Sequence, residues 1–218
     1  RRNERVYQKA GKNAVNALTY TRPKKGEYIL VSDTDADNAY KRVCKDDLNI
    51  DFERLYLADI SADETVAERI ADRVFEGKSR VMISVSRTLE EVGTFDKKYG
   101  LSPVMYLHKL GLLEHADALV GGVWLDKDDM DIMAQCGCPL IITPSYDMGT
   151  GNGIPEVATC LRRGLTLGVG TEDCFFNPSC DMNFEAKLIA LTASAIMRES
   201  GAVAQRDIKK MLEFCLKS

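Results

Sequence analysis

The chain alternates between short apolar bursts and longer stretches in which apolar residues recur three and four apart. The bursts read EYILVSD (27–33), LYLADI (55–60), RVMISVS (80–86), ALVGGVWLD (118–126), PLIITPSYD (139–147) and LTLGVGTED (165–173). Their nearly unbroken, β-branched character predicts strands buried on both faces. Helical spacing predicts helices over 6–18, 39–44, 61–75, 88–99, 103–113, 128–135, 155–163, 181–199 and 205–216. Strand followed by helix, repeated along the chain, predicts a parallel α/β fold. In such folds chemistry gathers where strands end, which directs attention to Gly121, Ser145 and Glu172.

Local signals sharpen several boundaries. Ser61 with Glu64 three residues on is a capping box, and Pro155 suits a first helical position. The Pro23-Lys24-Lys25-Gly26 run breaks the first helix, and its basic cluster with Arg22 reads as a solvated turn. No repeat, low-complexity tract or linker interrupts the pattern, so the sequence predicts one domain over 1–218.

Composition narrows the function classes. The 218 residues are 45% hydrophobic and 28% charged, ordinary for a globular protein. A net charge of −4 argues against a nucleic-acid platform, which needs concentrated positive charge. No apolar run reaches the roughly 20 residues a membrane span requires. The 7 cysteines are odd in number and lack CxxC spacing, which predicts reduced thiols and a cytoplasmic setting. The start at Arg-Arg, without Met or an apolar signal core, reads as a processed or trimmed end.

Candidate chemistry is sparse. Asp33, Asp35 and Asp37 are spaced like the start of a calcium loop. However, Asn38 stands where that loop needs glycine and Cys44 where it needs glutamate, so the aspartates read as caps of the next helix. His108 and His115 flank one predicted helix and read as surface or packing residues. Cys136 and Cys138 form a lone CxC, read as packing or turn residues. The loop Gly149-Thr150-Gly151-Asn152-Gly153 precedes a helix, where backbone amides can cradle an anion. Its GxGxG spacing departs from the GxGxxG of dinucleotide sites.

A longer series of words carries a resemblance. YGLSPVMYLHKLGLL, LVGGVWLDKDDMDIMAQCGCPLIITPSYDMGTGNGIPEVATCLRRGLTLGVGTED, the Asp181-Met182 pair and the ALTA of 190–193 follow one another in order. Together they resemble the later part of the amidohydrolase superfamily, in its deaminase and chlorohydrolase branch. Members read YG-x-x-P-V-x-YL, AH-x-V-W-L, CPSSN, a Gly-rich turn before Ile-Pro, and LGTDG. SVSRTLEEV (84–92) falls on the family's H-x-x-E-T-x-x-EV segment. The resemblance implies a partial or divergent (β/α)8 TIM barrel that lacks its N-terminal strands and the family's β-sandwich domain. The strands at 28–33 and 55–60 would be remnants of earlier barrel strands.

The family holds a zinc or iron ion through histidines and an aspartate, with a glutamate that shuttles protons. Carried over, the strand-five histidine falls on Ser84 and the shuttle glutamate on Arg87. The strand-six histidine falls on Gly121, and the strand-eight aspartate on Glu172 or, with a one-residue slip, Asp173. No His-x-His exists in the chain. Arg87 would repel a divalent cation by on the order of 8 kcal/mol at about 4 Å and an effective dielectric near 20. The expectation is therefore a protein without metal or other cofactor, and with no confident catalytic residue. Asp33, Ser145, Asp147, Gly149, Gly151 and Gly153 remain as candidates to line a pocket.

Three readings follow. One is a non-catalytic scaffold or subunit, whose open barrel would be covered by a protein partner or a second copy. Another is an active hydrolase on carbon–nitrogen bonds, its site rebuilt from carboxylates or completed by a partner. The third is a phosphate or small-molecule module built on the loop at 149–153.

Overall fold

The computed structural model describes residues 18–19, 21–24, 27–30, 55–59, 65–75, 80–172 and 175–214. The chain divides into two compact units, Arg1–Met82 and Ile83–Ser218. The sequence shows no linker there, and the boundary falls inside a strand.

In the first unit, β1 (Leu18–Thr19) pairs in parallel with β4 (Leu55–Asp59). β2 (Thr21–Lys24) and β3 (Glu27–Leu30) form an antiparallel hairpin of their own. This corrects the expectation that the strand at 28–33 is a barrel remnant. Only Lys25 and Gly26 lie between the paired Lys24 and Glu27, and a parallel connection needs a dozen residues or more. Leu18, expected at a helix end, lies in β1. Helix α1 (Thr65–Phe75) buries Ala67, Ile70 and Ala71 along one stripe, as its periodicity requires. The expected helices at 6–17 and 39–44, and Asp33, Asp35 and Asp37, lie outside the described residues.

The second unit takes in the end of β5 (Arg80–Val85), the strand that the boundary crosses, followed side by side in chain order by β6 (Ala118–Gly121), β7 (Leu140–Ile142) and β8 (Leu167–Val169). β6, β7 and β8 run parallel, with Leu119 opposite Leu140 and Leu140 opposite Leu167. Side chains from both faces are buried, as on β6, where the successive residues Ala118, Leu119 and Val120 are all enclosed. That explains the unbroken apolar bursts: each strand is covered on two sides. At Gly168 the cover comes so close that an added Cβ would lie 2.6 Å from the Phe214 ring.

Connecting helices follow the sequence reading to within a few residues, except that Pro155, expected at a first helical position, precedes a helix that starts only at Val157. They are α2 (Leu89–Tyr99), α3 (Pro103–Lys109), α4 (Lys127–Cys136), α6 (Val157–Arg162), α7 (Met182–Met197) and α8 (Gln205–Leu212). Thr88, Ser102, Asp126 and Asp181 cap four of them with side-chain oxygens.

Two strands end earlier than their apolar runs suggest. β6 stops at Gly121 because Gly121 and Gly122 take φ values of +97° and +63°, open to glycine. β7 stops at Ile142 because Pro144 opens a short helix, α5 (Pro144–Gly149). Ser145 and Asp147 therefore sit on a helix, where the sequence placed them in a strand. No helix among the described residues is long and apolar enough to cross a membrane.

Candidate functional site

The carboxyl ends of β5, β6, β7 and β8 meet around one side chain, Arg87. It follows Ser86, which takes a left-handed φ of +50° just past β5. The buried Glu91 carboxylate fixes that turn, accepting the Ser86 amide at 2.7 Å and the Arg87 amide at 3.0 Å. Helix α2 supplies Glu91 one turn in, so helix and strand end together aim the guanidinium across the sheet.

Every nitrogen of the guanidinium is engaged. Nε donates to Ser84 Oγ at 2.7 Å. Nη1 donates to Asp147 Oδ1 at 2.7 Å and to Thr143 Oγ1 at 3.2 Å. Nη2 donates to Glu172 Oε2 at 2.8 Å. The Tyr146 ring centroid lies 5.1 Å from Cζ, within cation–π range.

Asp147 is fully buried and well supplied with donors. Its Oδ2 accepts Thr143 Oγ1 at 2.8 Å, and Oδ1 also accepts Asn152 Nδ2 at 3.0 Å. Burial alone would lower the Arg87 pKa. The Glu172 and Asp147 charges outweigh it and hold the guanidinium above its ordinary value. The cluster is a cation bracketed by two carboxylates, at the place where a barrel keeps its chemistry.

Gly121 completes the arrangement by what it lacks. A Cβ there would lie 2.6 Å from Arg87 Cγ and 3.0 Å from Nε. Of the residues singled out from the sequence, Ser84, Arg87, Gly121, Asp147 and Glu172 thus come together. Glu172 holds a left-handed φ of +57° at the end of the β8 turn. Asp173 and Asp33 lie outside the described residues.

Ser145 does not join them. Its amide and hydroxyl both donate to the buried Glu185 carboxylate of α7, at 2.9 and 2.5 Å, and Asn177 donates to the same group at 2.8 Å. Pro144 starts the helix one residue earlier and so turns Ser145 toward α7.

The glycine loop is also committed elsewhere. The amides of Thr150, Gly151, Asn152 and Gly153 donate to the Tyr146, Met148 and Asp147 carbonyls at 2.9–3.3 Å. An anion would find those four donors already used. Gly149 packs against Phe176, 2.3 Å from where a Cβ would stand, and Gly153 lies against Val123.

Thr143, Tyr146, Asn152 and Glu91 escaped the sequence reading. The four-residue spacing of Thr143 and Asp147 on a short helix was the available signal, hidden by reading the segment as strand.

Parallel strands with a polar cluster at their carboxyl ends are the arrangement of a partial (β/α) barrel. No family model matches the chain. The chain is 34% identical over 116 residues to a 5-methylthioadenosine/S-adenosylhomocysteine deaminase of Thermococcus kodakarensis, covering 53% of this chain and 27% of that protein. It is 32% identical over 143 residues to a 5'-deoxyadenosine deaminase of Methanopyrus kandleri, covering 66% and 32% respectively. Its fold superposes on a zinc-bound adenosine deaminase of Xanthomonas campestris with a TM-score of 0.71 at 20% identity, over 96% of this chain and 50% of that one. The chain is homologous to deaminases of the amidohydrolase superfamily, and it matches about a third or less of the length of these curated relatives.

Proposed function

We propose that this chain is a non-catalytic relative of the metal-dependent amidohydrolases, in which an arginine–carboxylate cluster replaces the metal and its ligands. The observation that carries this reading is the Arg87 guanidinium, bonded at once to Ser84, Asp147 and Glu172. The resemblance assigns positions 84, 121 and 172 (or, with a one-residue slip, 173) to metal ligands and position 87 to the proton shuttle.

These residues do not fit a divalent cation. Glycine offers no donor atom and serine is a poor one, whereas catalytic zinc takes about three protein ligands. A guanidinium has donors only and keeps its charge at any working pH, so it can neither ligate a metal nor act as general base. The carboxylate lone pairs that would face a cation are bonded to its nitrogens instead.

The test is ammonia release by the full chain, supplied with zinc or ferrous iron, from 5'-deoxyadenosine, 5'-methylthioadenosine and S-adenosylhomocysteine. These are the compounds named for the relatives. No release above background is expected. Metal-dependent release that disappears in Glu172→Gln overturns the reading in favour of an active carbon–nitrogen hydrolase with a rebuilt or partner-completed site.

A protein partner or homo-oligomer belongs to the same proposal. Sedimentation velocity of the full chain tests it, and a monomer at every concentration counts against it.

A further inference from the structure

A second group of chemistry-bearing side chains lies at the opposite ends of the strands. His108 is in the last turn of α3, Cys136 is the last residue of α4, and Glu114 sits in the turn that leads into β6. Separately, the sequence gives His108 and Cys136 packing, surface or turn roles and says nothing of Glu114.

In the tertiary structure three ligand atoms converge. His108 Nδ1 is 3.2 Å from Glu114 Oε1. Cys136 Sγ is 3.5 Å from that oxygen and 3.7 Å from Nδ1. We propose that His108, Glu114 and Cys136 form a binding site for a zinc-class divalent cation, with the fourth position left to water.

The distances carry the argument. Zinc binds imidazole nitrogen and carboxylate oxygen at about 2.0–2.2 Å and thiolate at about 2.3 Å, tetrahedrally. Those lengths place nitrogen and oxygen about 3.3 Å apart, and sulfur about 3.6 Å from either. The observed separations reproduce that triangle within a few tenths of an ångström. The ligand set points to the same metal. A thiolate, an imidazole and a carboxylate suit zinc, whereas hard cations such as magnesium and calcium prefer oxygen alone. One thiolate and one carboxylate neutralise a doubly charged ion.

The frame is stiff. The Gly111 amide bonds the His108 carbonyl at 2.8 Å, and Gly137, at a φ of +66°, closes α4 directly after Cys136. The Ser102 hydroxyl bonds Asp129, tying the start of α3 to α4.

Without a cation, the converging lone pairs are held apart by protons. The Cys136 thiol donates to Glu114, and His108 Nδ1 lies against the same carboxylate oxygen. Burial, then the hydrogen bond and charge of Glu114, push the Cys136 thiol up. On metal binding the S–H bond breaks, an S–metal bond forms and that proton leaves to water, while the neutral imidazole carries its proton on Nε2 and binds through the Nδ1 lone pair. Affinity therefore rises with pH.

Cobalt(II) titration of the chelator-stripped full chain tests the proposal. The expected result is a thiolate-to-cobalt charge-transfer band that saturates at one equivalent, disappears when zinc is added, and is missing in Cys136→Ser. His108→Ala and Glu114→Gln should weaken zinc binding by about 100-fold or more, since loss of an outer-sphere partner alone costs about 10–100-fold. Far-UV circular dichroism should stay unchanged in all three variants. A band that persists in Cys136→Ser, no band at one equivalent, or zinc affinity unchanged in His108→Ala and Glu114→Gln overturns the proposal. The readout is independent of deaminase activity.

Discussion

Gly121 and Arg87 share one small volume: a single methyl group on the first would stand 2.6 Å from Cγ of the second. The missing side chain on β6 is what lets the guanidinium of β5 cross to Asp147 and Glu172. Gly121→Ala should therefore destabilise the protein by about 2–4 kcal/mol, through strain at positive φ and displacement of Arg87. Denaturant unfolding measures this. A variant within about 0.5 kcal/mol of the parent would mean that Arg87 moves aside freely.

Arg87→Met leaves the Asp147 and Glu172 carboxylates facing each other without their cation. Breaking a buried pair from one side costs about 3–5 kcal/mol. The triple variant Arg87→Met, Asp147→Asn, Glu172→Gln removes the uncompensated charge and should recover more than half of that loss. Equal instability of the single and triple variants would assign the cost to packing alone.

The turn that aims Arg87 depends on Glu91, which receives two buried amides. Glu91→Ala orphans both and should cost about 2–4 kcal/mol. Ser86→Gly relieves the left-handed backbone at +50° and should be neutral or stabilising by up to about 1 kcal/mol. Thermal unfolding of the two single variants and the double variant shows whether Ser86→Gly offsets part of the Glu91 loss.

Asp129 predicts a pH dependence. Burial pushes its carboxyl up to about 6 from an ordinary 3.8, with the Asp126 and Asp128 charges adding to the effect and hydrogen bonds from Ser102 and the Asp126 amide opposing it. Between those values the folded state binds more protons than the unfolded one, so stability falls as pH rises. The contribution is fully present below about 3.8 and is lost as pH rises through about 6. Its size is on the order of 3 kcal/mol. A denaturant series across that window should show the slope in the parent and a flatter profile in Asp129→Asn.

The sequence by itself determined the alternation of strand and helix and the kinship with deaminases of the amidohydrolase superfamily. Apolar periodicity is local, so it survives without knowledge of the fold. The sequence also singled out Ser84, Arg87, Gly121 and Glu172, which the fold brings together, because motif words carry their own register.

Other features depended on the third dimension. The sequence left Arg87 as a charge that would repel a metal. Only the convergence of four strand ends gave it Ser84, Thr143, Asp147 and Glu172 as partners. Pro144 redirected Ser145 to Glu185, 40 positions along the chain, a contact no local pattern encodes. His108, Glu114 and Cys136 are unremarkable one by one along the sequence. They become a candidate site because two helix ends and a turn close on the same point, where the distances between ligand atoms, set by packing, decide whether a cation can be held.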